Sequence, residues 1–302
     1  MANERIQRAG TYTLGALLLL ITTATGMLSN PVVAADRQAP ASVAPIFTPQ
    51  PVATGGNELV LAVQPILDEE QTRKVFQPLC DYLAHATGRP CRLFTSPNFY
   101  AYWDNVRQSK AFNLVLDAAH FTDYRTQKLG FEVLAKIPDS VTYTLVTRDN
   151  DLMLDASELV GKRVATLGIP SIGAARLNGL FPNPSRQPVV IEVGAAEKAM
   201  RLLLDGKVSA AILPTPIVSQ QMASGAGVSV VLTTDPIPHI ALSASSSIDA
   251  STRTALRNAL LSAHNSEAGK KMLKLIGFER FDPASSAVYV DQRKILQEYW
   301  GY

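Results

Sequence analysis

A two-lobed α/β fold with a ligand cleft between the lobes is the architecture this sequence predicts, on three observations. Short apolar runs alternate with amphipathic helical stretches from residue 58 onward, and the same alternation restarts near residue 155. Two further extended segments, around 141–148 and 236–245, fall where the chain would cross from one lobe to the other and back. Alternating strands and helices imply parallel sheets covered by helices. Such sheets bind ligands beyond the carboxyl ends of their strands, and here those ends would face each other.

The first series opens at 59–63, Leu-Val-Leu-Ala-Val, a run apolar enough for a strand covered on both faces. Residues 69–87 place Val75, Phe76, Leu79, Leu83 and Ala86 at helical spacing, with Pro78 as a kink or the start of the main segment. Gly88-Arg89-Pro90 stops that helix, and 91–94 is the second strand. A helix over about 98–109 leads to a third strand at 112–116, a helix over 120–129 ends at Gly130, and 131–137 and 141–147 read as strands.

The second series begins with Asp155-Ala156-Ser157-Glu158, which has the form of a capping box. Strands follow at 163–167, 189–193, 208–213 and 228–232, separated by helices at about 171–180, 195–205 and 215–223. Residues 240–244 read as a return strand, with helices near 250–263, 266–275 and 285–299 completing the chain. The expected division is 58–145 for the first lobe, completed by 240–302, and 146–239 for the second.

The N-terminus has a different character. Arg5 and Arg8 precede an apolar run around Leu17–Ile21, and small residues lead to Ala34-Ala35-Asp36. That order is an export signal over 1–35, cut near Ala35, with an uncleaved anchor as the alternative. Residues 36–57 are rich in Pro, Ala, Thr and Gly without apolar period, the composition of a flexible linker. The chain has 28 basic and 26 acidic residues; removing 1–35 leaves 26 and 25, with no basic block for nucleic acid. Cys80 and Cys91 are the only cysteines and, in an oxidising compartment, candidates for a disulfide. Cys80 lies about two turns before the helix end and Cys91 opens the next strand, a spacing that leans against the roughly 7 Å Cα limit of a bridge.

Four stretches together resemble the phosphonate- and phosphite-binding proteins of ABC transporters. They are Pro78–Leu83 with Gly88, the strand-turn-helix at 113–124, the run Leu159-Val160-Gly161-Lys162-Arg163-Val164-Ala165, and 194–208 with its Asp205-Gly206-Lys207. The resemblance spans about 58–290 and implies a type II periplasmic binding fold that closes on a small ligand by a hinge and hands it to an inner-membrane transporter. It also implies an anion site at a helix N-terminus, where backbone N–H groups, the helix dipole and hydroxyls converge. The matching turn here is Gly168-Ile169-Pro170-Ser171-Ile172-Gly173: Ser171 is retained, itself also an N-cap, while Ile172 and Gly173 replace hydroxyl residues. Ala196 stands where the family commonly offers a His. Bare phosphonate is therefore expected to bind weakly.

Other residues expected at the cleft are Tyr100 with Phe99 after the second strand, Asp117 and His120 after the third, and Tyr143 and His239 on the two crossings. The sequence has no nucleophile elbow, P-loop or GxGxxG turn, and its histidines have no ligand-like spacing, so neither catalysis, cofactor nor metal is expected. Three roles remain: a binding protein for an oxyanion or other small solute in transport, a carrier of an apolar lipid-like molecule such as a sterol, and a ligand-sensing domain for a receptor.

Overall fold

A computed structural model describes residues 57–108, 111–151 and 153–296. The signal-like segment 1–35, nearly all of the linker and the end of the last expected helix lie outside the described residues.

The first half builds β1 (Leu59–Val63), α1 (Glu69–Thr87), β2 (Cys91–Phe94), α2 (Phe99–Gln108), β3 (Leu114–Asp117), α3 (Ala119–Lys128) and β4 (Phe131–Lys136). A two-residue strand, β5 (Ser140–Val141), leads into β6 (Tyr143–Arg148). The second half builds β7 (Arg163–Thr166), α4 (Ile172–Leu180), β8 (Val189–Glu192), α5 (Ala196–Leu204), β9 (Ala210–Pro214), α6 (Thr215–Ala223) and β10 (Val228–Thr233). The chain returns through β11 (Ile237–Pro238) and β12 (Ala241–Ser245) to α7 (Ala250–Ser262) and α8 (Glu267–Ile276).

Two five-stranded sheets result, ordered β2-β1-β3-β12-β4 and β8-β7-β9-β6-β10. Each therefore receives one strand from the other half of the chain, in the same fourth place. The sheets are not wholly parallel, as strand-helix alternation had implied. β12 runs antiparallel to both β3 and β4, and β6 antiparallel to both β9 and β10. The reason is the route: a strand that enters from the opposite lobe starts at the ligand-facing edge, where the local strands end. β5 and β11 pair with each other beside these crossings.

α1 shows how local signals set an element. The Asp68 carboxylate accepts from Gln71 N, Glu69 and Glu70 complement the positive helix end, and Gly88 in left-handed conformation (φ 67°) closes it. The helix runs unbroken through Pro78, because buried Leu79, Cys80 and Leu83 hold it to the sheet. Asp155 and Glu158 form the expected capping box, on a 3-10 turn at Ala156–Leu159.

Two sequence expectations are corrected. Cys80 and Cys91 form a disulfide with their Cα atoms 5.4 Å apart. The seven residues from Cys80 to Thr87 rise only about 10 Å as helix, and the short extended stretch after Gly88 runs back over a similar length. Second, the helix expected near 285–299 opens instead as a 3-10 turn at Ser286–Tyr289, and α-helix begins only at Lys294 and continues to Leu296, the last described residue. Buried Tyr289 donates its hydroxyl to the His239 carbonyl (3.0 Å), and Asp291 takes a positive φ of 71°, so residues 286–293 are held as turns.

Candidate functional site

The carboxyl ends of the two sheets meet, and they meet closely. The first N–H of α5, Ala196 N, donates to the Ile66 carbonyl in the loop after β1 (2.9 Å). His120, at the start of α3, donates from Nε2 to the Pro170 carbonyl before α4 (2.8 Å). Gly194 lies so near the β2–α2 loop that a Cβ there would stand 2.6 Å from the Pro97 carbonyl oxygen. One buried apolar cluster joins Ala62, Phe99 and Val115 on one side to Leu167, Val193 and Ala196 on the other. The cleft is closed.

Beneath His120 lies a fully buried ion pair. Asp117 at the end of β3 accepts from both terminal nitrogens of Arg125, from the Tyr102 hydroxyl (2.6 Å) and from Thr122 Oγ1 (3.3 Å). A buried pair is costly unless its hydrogen-bonding capacity is filled; here four donors converge on the carboxylate, while Arg125 Nε is buried without a partner. Burial next to Asp117 pushes the Tyr102 phenol well above its ordinary value, so it stays a donor. This network fixes the first turn of α3 and hence His120. A carbonyl partner can only accept, so the His120 proton is on Nε2; buried Nδ1 has no partner. Burial, with the Arg125 charge adding to it, lowers His120 to about 3, and the ring is neutral.

At α4, Ser171 is the N-cap: its hydroxyl accepts from Ala174 N (3.2 Å) and is buried. Ile172 is buried in an apolar cluster with Tyr143 and Ala118, and Gly173 backs onto the Tyr143 ring, which a Cβ would approach to 3.4 Å. Tyr143 is itself buried, with its phenol pushed up. Phe99 is core, stacked on Phe121 with centroids 6.2 Å apart, as are Tyr102 and Trp103. Among the residues expected at the cleft, Tyr100 differs from all of these: it is 66% exposed. It lines a groove of about 220 Å³ at the seam with Asn98, Gly168, Ile169, Glu192 and Gly194. His239 lies on the return crossing, half-buried; its Nδ1 accepts from Ile240 N (2.8 Å), and burial lowers it to about 4.

Residues 61–289 match the family model of periplasmic substrate-binding proteins of phosphonate ABC transporters. The chain belongs to this family. Solved structures agree on the fold. PhnD1 from Prochlorococcus marinus, determined with methylphosphonate, superposes with a TM-score of 0.71 at 14% identity, covering 82% of this chain and all (100%) of that one. The binding-protein component PA3383 of a phosphonate ABC transporter from Pseudomonas aeruginosa gives 0.66 at 12% identity, over 80% and 86%. XAC2383 from Xanthomonas citri, determined with ATP, gives 0.63 at 14%, over 79% and 95%. At these identities the likeness is one of fold, the two-lobed type II periplasmic binding fold. No curated protein sequence matches the chain.

In this family member the two helix N-termini expected to face the ligand, those of α4 and α5, are occupied by the chain's own atoms: the Ser171 hydroxyl on one, the Ile66 carbonyl on the other. Three participants were not legible in the sequence. Ile66 reads as one more apolar residue, Gly194 as an ordinary turn glycine, and Glu192 as the end of a strand. Among the described residues no helix is long and apolar enough to cross a membrane, and no cluster of three His, Cys, Asp or Glu side chains could hold a metal ion.

Proposed function

We propose that this protein is an exported solute-binding protein, cut near Ala35, that captures a small organic ligand between its lobes and delivers it to an inner-membrane transporter. It binds and releases its ligand without chemistry. The observation that carries the reading is the state of the anion positions: the Ala174 N–H at the start of α4 is already taken by the Ser171 hydroxyl oxygen, and the Ala196 N–H at the start of α5 by the Ile66 carbonyl. A bare phosphonate would have to displace these bonds and would gain no hydroxyl from Ile172 or Gly173. The groove beside Tyr100, about 220 Å³, is below the roughly 300–1,000 Å³ of pockets that enclose drug-sized ligands. That size favours a small ligand over a sterol-sized one.

Calorimetry with methylphosphonate and phosphate tests the reading. Binding is expected no tighter than the high micromolar range, about −5 kcal/mol. Submicromolar binding of methylphosphonate that is lost in Ser171→Ala would overturn it.

A further inference from the structure

We infer that the interlobe groove is a site for a small alkylammonium cation, held between the Glu192 carboxylate of the second lobe and the Tyr100 ring of the first. The inference rests on the solute-binding reading above and names the class of solute. Glu192 closes β8 at the groove and is solvent-exposed, and no cationic side chain among the described residues pairs with it. Its carboxylate is nevertheless positioned. Ile169 N donates to Oε1 (3.3 Å), and the side chain lies over Gly168, where a Cβ would stand 3.0 Å from Cδ and 3.1 Å from Oε2. Gly168 also takes φ 76°, so both its conformation and its missing side chain make room for the carboxylate.

Across the groove Tyr100 is 66% exposed, and among the described residues its side chain makes no hydrogen bond or ring contact. Its position in the first turn of α2 is set by the Asn98 side chain, which accepts from Ala101 N (2.8 Å), and by buried Phe99 beside it. An exposed aromatic ring opposite an unpaired carboxylate is the arrangement that recognises alkylammonium groups, through the ring quadrupole and charge pairing together. Leu167 and Val193, both buried, supply an apolar floor for the carbon body. At about 30 Å³ for each water's share of liquid volume, the groove holds about seven waters' worth, which suits a ligand of choline or ethanolamine size. Because the two partners come from opposite lobes, such a ligand would bridge the seam.

Thermal unfolding and calorimetry with choline and ethanolamine, alongside methylphosphonate, acetate and glucose, test the inference. Choline or ethanolamine is expected to raise the melting temperature, with an affinity that falls as salt rises. Glu192→Gln should weaken binding by about tenfold or more, and Tyr100→Ala by about three- to fivefold. Glu197→Gln, an exposed acid outside the groove, should leave binding unchanged. The inference is overturned if neither cation binds, or if Glu192→Gln and Glu197→Gln behave alike. If acetate or glucose binds while both cations fail, the cation site is wrong and the solute-binding reading survives. If none of the five binds, the cation site is wrong and the solute-binding reading loses its support at this groove.

Discussion

Acidifying the ligand-free protein should loosen its cleft, because the His120 bond to Pro170 depends on a neutral buried ring. In the closed form His120 titrates near 3; exposed by opening, it would return to about 6.5. The depressed value means that closure is fully favoured above about pH 6.5 and loses stability progressively as pH falls towards 3. At pH 5, roughly 1.5 units below the exposed value, the loss is about 2 kcal/mol, a thirtyfold shift towards the open form. Arg125 on the same helix adds to the penalty, and Asp117 is already committed to Arg125. His239, near Lys136 and Asp139 at the return crossing, is also lowered and acts in the same direction. Small-angle scattering from about pH 7.5 to 4.5 reads the outcome as an increase in radius of gyration. His120→Gln keeps a donor for Pro170 without the titration and should flatten most of the response; His239→Gln should remove the smaller part. A wild-type radius that does not change with pH, or an unchanged response in His120→Gln, would refute the reasoning.

Gly194→Ala sets a Cβ against the Pro97 carbonyl and should enlarge the radius of gyration at neutral pH; an unchanged radius would mean that the seam is not this tight in solution. Replacing Cys80 and Cys91 together by Ser removes a bridge across a sequence separation of 11 and should cost about 2–3 kcal/mol in urea unfolding. An unaltered midpoint would show that the disulfide is not formed. Asp117→Asn strands the fully buried Arg125 charge and should cost about 3–5 kcal/mol, with the loss read by the same unfolding curve. A loss below about 1 kcal/mol would count against a dry ion pair beneath His120.

What the sequence determined by itself is the order and kind of the elements. The apolar run of β1, the helical spacing of α1, the Asp155–Glu158 capping box and the bounds of α6 are all set by residues a few positions apart, so their signals are local. The family resemblance belongs to the same level, being carried by short motifs in order. Tertiary structure decided what depends on distant segments. The directions of β6 and β12 follow from the path between lobes, and the Cys80–Cys91 contact from how far the chain folds back after Gly88. Phe99, Ile172 and Ala196 are all expected at the ligand site; whether such residues face ligand or core depends on how closely the lobes meet, and here they are buried. Burial also brings Asp117 to Arg125 through a strand-to-helix turn and His120 to a carbonyl 50 residues away. Glu192 and Tyr100 come from elements that periodicity treats as independent, and only the packing of the two sheet edges places them on one groove. Hydrogen bonding and charge pairing act across space at a few ångströms, whereas sequence periodicity reports only which face of a single element is apolar.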